Sequence, residues 1–101
     1  MYYFYILRCR DNTLYCGQSK DLKRRVWEHN FDDKKSAKYT KGRRPIELVY
    51  FEKYQTVQEV MKREWQVKKW LRSKKEVLIQ NNKDVLKNYN PERSRGKKLL
   101  I

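Results

Sequence analysis

Apolar residues crowd the start of the chain and then thin out. Tyr2 to Cys9 is a dense apolar and aromatic run with no helical period, which predicts a strand buried on both faces. Arg10-Asp11-Asn12-Thr13 is polar and turn-prone, and Leu14 to Gly17 reads as a second short strand. Residues 2–18 therefore form a hairpin. Its loop length decides which side chains share a face. A three-residue loop, Arg10-Asp11-Asn12, suits Asn12 in the left-handed conformation. It opposes Cys9 to Thr13 and Leu7 to Tyr15, and places Tyr5 and Tyr15 on one face. A two- or four-residue loop would separate them.

The period then changes. Ser19 or Asp21 can cap a first helix, with Leu22, Val26 and His29 at i, i+4 and i+7. Arg25 lies on this narrow stripe, while Lys20, Lys23, Arg24 and Glu28 are expected to point outward. Residues 30–44 are polar and basic and read as a surface loop or irregular segment. Pro45 precedes a mostly apolar strand over residues 46–52. Thr56-Val57-Gln58-Glu59 is a capping box, opening a second helix to about Leu71. Ser73-Lys74-Lys75-Glu76 reads as another box, starting a shorter helix through Ile79. Asn81-Asn82 ends it, and Asp84 to Asn88 can add a turn.

The element order is β-β-α-β-α-α. It predicts an α/β chain of the α+β type, with a small three-stranded antiparallel sheet covered by helices on both faces. At 101 residues the chain is read as one domain over residues 1–82. Residues 83–101 are read as a basic, mobile C-terminal extension.

Charge narrows the partner. There are 26 Lys and Arg against 12 acids, a net +14, which points to a polyanion. Three Trp and eight Tyr argue against a disordered basic tail. Cys9, Cys16 and the single His29 offer no zinc spacing. The start lacks a basic n-region, and no apolar run approaches a membrane span. The reading is a cytoplasmic protein with reduced thiols and no membrane partner.

A few residues can carry chemistry. Glu64 shares a helical stripe with Val57, Val60, Met61, Val67 and Leu71. A carboxylate there needs a partner, a metal or a water-filled cleft. A structural ion pair with Arg25 is one solution. Arg25 has a planar fork that suits a phosphate. Tyr5 and Tyr15 are ordinary core fillers, or, with cations near, proton acceptors. Gly17 either ends a strand or permits a close approach. His29 closes a helix C-terminus or acts as a base. Lys34, Lys35, Lys38, Lys41, Arg43 and Arg44 enclose Tyr39, a mixture that suits a nucleic-acid strand. Trp65 and Trp70 are read as packing or partner contacts, and the two cysteines as buried thiols.

In order and spacing, these residues resemble the GIY-YIG nuclease domain over residues 2–80. Tyr3-Phe4-Tyr5 stands where Gly-Ile-Tyr is expected, and Tyr15-Cys16-Gly17 stands for Tyr-Ile-Gly. Tyr5, Tyr15 and Gly17 match, and the first glycine does not. Arg25 follows Ser19-Lys20-Asp21-Leu22-Lys23-Arg24, and Glu64 lies within Lys62-Arg63-Glu64-Trp65. Ala37 to Thr40, Gly42 to Pro45 and Leu48 to Tyr50 resemble the small stand-alone bacterial members.

The resemblance implies a divalent-metal-dependent endonuclease that hydrolyses DNA, branched or damaged DNA included, as in repair or recombination. RNA is a second candidate substrate, and no obligate protein partner is evident. Tyr5, Tyr15, Arg25 and Glu64 would be catalytic, with His29 and Gly17 in support. Glu64 would hold Mg²⁺ or Mn²⁺. Lys20, Lys38, Tyr39, Lys41, Arg43 and Arg44 would bind nucleic acid. The alternative is a non-catalytic nucleic-acid-binding module on the same scaffold, and a weaker one is a ribosome- or RNA-associated protein.

Overall fold

A computed structural model of the protein describes residues 1–88. Strands β1 (Tyr2–Arg8), β2 (Leu14–Ser19) and β3 (Glu47–Tyr54) form one antiparallel sheet in the order β2-β1-β3. Helices α1 (Leu22–Phe31) and α2 (Lys38–Lys41) lie between β2 and β3 in the chain. Helices α3 (Val57–Lys68) and α4 (Arg72–Asn81) follow β3, and a 3₁₀ turn covers Lys83–Asn88. The three antiparallel strands and the strand–helix order agree with the sequence reading. Residues 89–101, most of the expected extension, lie outside the described residues.

The central strand explains the two-sided core. Phe4, Tyr5, Ile6 and Leu7 are all buried, and alternation sends them to opposite layers. Phe4 and Ile6 join Cys16, Tyr50, Val60, Val67 and Ile79 under α3 and α4. Tyr5 and Leu7 join Cys9, Leu22, Val26, Ile46 and Leu48 under α1. Within the turn after α4, Val85 packs on the first cluster and Leu86 on the second.

The hairpin has the expected register. Leu7 opposes Tyr15, and Tyr5 opposes Gly17. The Cys9 N–H donates to the Thr13 carbonyl at 2.9 Å, and Asn12 turns left-handed at φ 70°. Asp11 accepts from the Thr13 N–H at 3.2 Å and from its hydroxyl at 2.6 Å, tightening the turn.

Both expected caps at the first two long helices are present. Asp21 caps α1 through the Arg24 N–H, and Thr56 with Glu59 completes the box on α3. The Ser73–Glu76 box does not form. Leu71 is the N-cap of α4 and makes no side-chain capping bond. Glu76 is instead held by the two-pronged guanidinium of Arg8, at 2.8 and 2.9 Å, and by Arg72 at 3.0 Å. A bidentate charged pair outcompetes a single bond to an exposed N–H.

The helical stripe on α3 is also narrower than expected. Val60 and Val67 are fully buried, but Met61 is 54% exposed and Leu71 lies beyond the helix, in solvent. Trp65 is 65% exposed beneath the Lys69 ammonium, whereas Trp70 packs on the core. A four-fold hydrogen-bonded Glu52 ties α3 to β3. It accepts from Tyr50 at 2.5 Å, from Tyr54 at 2.6 Å and from Arg63 twice at 2.9 Å. Arg63 precedes Glu64, so this strut fixes the helix that presents Glu64.

Candidate active site

The site begins with Gly17. A Cβ there would stand 2.5 Å from the Tyr5 hydroxyl oxygen and 2.6 Å from its Cζ. The Tyr5 ring therefore crosses β2 through the space that any other residue would fill. The close approach open to Gly17 in the sequence is made by Tyr5 itself.

Tyr5 ends against His29, with its oxygen 3.0 Å from Nε2. On the far side of the ring, Nδ1 is 2.9 Å from the Thr40 hydroxyl. That hydroxyl donates its proton to the Ala37 carbonyl at 3.0 Å, so it accepts from Nδ1–H. Nε2 then carries the lone pair and accepts the Tyr5 proton. His29 closes nothing at the helix end. It is buried, and burial with the nearby Arg25 charge lowers its pKa to about 4. Burial pushes the Tyr5 hydroxyl well above its ordinary value, against the pull of Arg25. The buried pair is thus tyrosine and neutral imidazole.

This has a consequence for stability. Unfolded histidine titrates near 6.5. The unfolded chain therefore binds the extra proton first, and the stability held by neutral His29 is present above pH 6.5 and lost as pH falls toward 4. Between pH 7 and 5 the loss is about 2 kcal/mol. Denaturant unfolding at the two pH values should show it in the wild type and much less in His29→Gln. The strongly held Glu76, at about 2, acts only at lower pH.

Segment 30–44 is more ordered than the sequence suggests. Helix α1 continues to Phe31, and α2 follows a short turn. Thr40 is fully buried because it meets His29. Arg44 donates to the His29 carbonyl at 2.9 Å and pairs with Asp33 at 2.8 Å. Arg43 pairs with Asp11 at 3.0 Å and covers the Tyr39 ring at 4.0 Å. Tyr39 stacks on Tyr15 at 5.8 Å, and Tyr15 meets His29 edge-on at 5.4 Å. Arg43 and Arg44 thus have internal partners, while Lys20, Lys34, Lys35, Lys38 and Lys41 are exposed.

Arg25 stands beside Tyr5, near enough for its charge and hydrogen bonding to act on the hydroxyl. One guanidinium nitrogen is pinned by Glu28 at 3.0 Å and by the Lys35 carbonyl at 2.6 Å. Glu28 does not point outward as expected. It is buried, because Arg24 and Arg25 both bind it. The structural Arg25–Glu64 pair does not form.

Glu64 comes from the other layer. Helix α3 covers the sheet face opposite Tyr5, through Val60 and Val67, rather than the face the two tyrosines share. The layers meet beside β2, the edge strand that α3 also packs against. Tyr5 feels the charges of both Arg25 and Glu64 there, and the hydroxyl of Tyr15. The Glu64 side chain is 18% exposed and bonded to Lys68 at 2.7 Å. Lys68 in turn feels Tyr15 and Cys16. Tyr5, Tyr15, Gly17, Arg25 and His29 thus assemble on one face, with Glu64 reaching the group electrostatically from the next layer.

Thr40, Glu28 and Lys68 were not singled out in the sequence. Glu28 lies three residues after Arg25, and Lys68 four after Glu64, spacings at which helical side chains meet. Thr40 has no such signal, since only the fold of the intervening segment brings it to His29.

A family model described as the GIY-YIG catalytic domain matches residues 1–77. The chain belongs to the GIY-YIG family. Its relatives include a UPF0213 protein of Bacillus pumilus, 46% identical over 79 residues, 78% of this chain and 79% of the relative. The UPF0213 protein YazA of Bacillus subtilis is 45% identical over 83 residues, 82% of each chain. The solution NMR structure of the UPF0213 protein BH0048 from Bacillus halodurans is 35% identical, with a TM-score of 0.54. That match covers 96% of this chain and 99% of the other. The resemblance to small bacterial members is therefore sound. The relatives' names state no reaction.

GIY-YIG nucleases in general use divalent metal ions and act on DNA. Among the described residues no group of three His, Cys, Asp or Glu forms a ready metal cage. A single carboxylate such as Glu64 suits a hydrated Mg²⁺, which keeps its waters and shares itself with substrate phosphate. The donor set fits that kind of ion and not a dedicated protein site. No helix among the described residues is long and apolar enough to cross a membrane.

Proposed function

We propose that this GIY-YIG chain is a metal-dependent endonuclease that hydrolyses DNA phosphodiester bonds. The observation that carries the reading is the buried Tyr5–His29 bond with Arg25 beside it and the Glu64 charge within reach.

Tyr5 takes a proton from the attacking water. It is not a standing phenolate, because burial opposes that charge. It passes its own proton to neutral His29 Nε2 as it accepts another. Thr40 holds the imidazole in the tautomer this needs. Arg25, pinned on one side by Glu28, offers positive charge to the scissile phosphate. Tyr15 supports His29 edge-on and orients the water or phosphate. Lys68 holds Glu64 in position through a 2.7 Å ion pair. Glu64 would hold one Mg²⁺ or Mn²⁺, which supplies charge stabilisation at the leaving oxygen.

The test is nicking of supercoiled plasmid and branched DNA in Mg²⁺ or Mn²⁺, with a chelator as control. The closed geometry favours a second reading. Arg25 and Glu64 already have partners, which a non-catalytic binding module would also show. Tight DNA binding with no metal-dependent nicking would support it.

Either way the exposed lysines should dominate affinity. The log–log slope of affinity against salt is expected at about −4 to −6, for roughly five to seven neutralised phosphates. A filter-binding series across salt concentrations measures it. A flat response would remove the phosphate-contact model.

A further inference from the structure

On the same sheet face as Tyr5, beyond the reach of the proton path, lies a cavity of about 370 Å³. Tyr3, Leu22 and Phe51 wall it, with the Tyr3 and Phe51 rings packed edge-on at 6.1 Å. Lys20, Lys23 and Lys53 also line it, with the Lys20 ammonium 5.5 Å from the Tyr2 ring. Asp21 is also at the rim, but its carboxylate accepts from the Arg24 N–H as the cap of α1. The catalytic steps use none of these residues, and Lys20 enters only as one of the exposed lysines expected to contact phosphate.

The combination is specific in its chemistry. A solvated charge run does not come with an aromatic wall, and an apolar core gap does not come lined by three lysines. The volume is in the range of small-molecule sites, about 300–1,000 Å³. A ligand that satisfies both parts needs a flat, apolar-faced ring and an anionic group. The place is equally specific. Tyr3 and Tyr5 are two residues apart on β1, about 7 Å along the strand. Leu22 lies one turn before Arg25 on α1. The cavity therefore adjoins the position proposed for the scissile phosphate.

We propose that this cavity takes one nucleotide next to the cleaved bond, its base against Tyr3 and Phe51 and its phosphate on Lys20 and Lys53. The assignment rests on the nuclease reading for its place in the reaction. It also defines a substrate class. A base held in a duplex is stacked and cannot reach the wall, so DNA with an unpaired nucleotide beside the cut is favoured.

The test is an amide-shift titration of the full chain by NMR, without metal, using dAMP, deoxyadenosine and inorganic phosphate. dAMP should move the amides of residues 3, 20–23, 51 and 53, and bind more tightly than either fragment. Phe51→Leu keeps an apolar filler but removes the ring face, and should weaken dAMP by at least about fivefold. Lys53→Ala, at an exposed strand position, should weaken it by up to about fivefold and has little reason to disturb folding. The inference fails if dAMP leaves these amides unmoved. It also fails if inorganic phosphate alone reproduces the shifts at equal affinity, or if neither variant changes binding. Because the readout needs no cleavage, an inactive chain that binds dAMP here would count against the nuclease reading alone. An active chain that ignores dAMP would count against this inference alone.

Discussion

Tyr5→Phe is expected to lower metal-dependent DNA cleavage by about a hundred- to ten-thousandfold, the range for a lost proton-transfer group. The phenyl ring still fits over Gly17, so the close contact that places it is retained. What disappears is the oxygen bonded to His29, with the Arg25 charge beside it. His29 Nε2 is then left buried without its donor, at a cost of about 1–3 kcal/mol. Thermal unfolding should register that smaller loss, while single-turnover cleavage registers the larger one. Wild-type cleavage by the Phe variant would show that Tyr5 is core filler with a well-placed hydroxyl.

Glu64→Gln is expected to act even more selectively. The substitution keeps shape and removes charge. The partner Lys68 is half exposed, so losing the pair should cost under about 1 kcal/mol of stability. DNA affinity should hold or rise slightly, since one negative charge leaves a basic surface. Cleavage should fall by about a thousandfold or more, because the carboxylate assigned to the ion would no longer hold it. Mn²⁺ bound in the presence of a DNA oligonucleotide, followed by the signal of the free ion, should fall with it.

Much of this site was legible in local chemistry. The left-handed Asn12 set a three-residue loop, and that loop set Tyr5 and Tyr15 on one face. Thr56 and Glu59 capped α3 because nothing distant competed for them. Ser73 and Glu76 carried the same local signal and failed, because Arg8 arrives from a strand 68 residues away and takes the carboxylate. Long-range competition of that kind leaves no trace in spacing.

The core stripe on α3 misled for a related reason. Periodicity gives a direction, but the sheet is only three strands wide, so Met61 at the side of the stripe finds nothing to cover it. The same narrowness puts Glu64 near an edge rather than under a face. His29 shows the opposite case. Its position near a helix end suggested a charged group closing the helix, or a base, and the fold of residues 32–41 instead brings Thr40 over it and buries both. Gly17 was legible as a close approach but not as an approach by Tyr5, since that depends on the pairing of β1 with β2.

The most direct test of the central claim is one assay with two proteins. Wild type and Glu64→Gln are compared at matched DNA occupancy for nicking of plasmid and branched DNA in Mg²⁺ and Mn²⁺. Rapid, chelator-sensitive nicking by the wild type, with equal binding and almost no nicking by the variant, is the predicted result. Equal cleavage by both would contradict the assignment of Glu64, and absence of cleavage by the wild type in either metal would contradict the nuclease account itself.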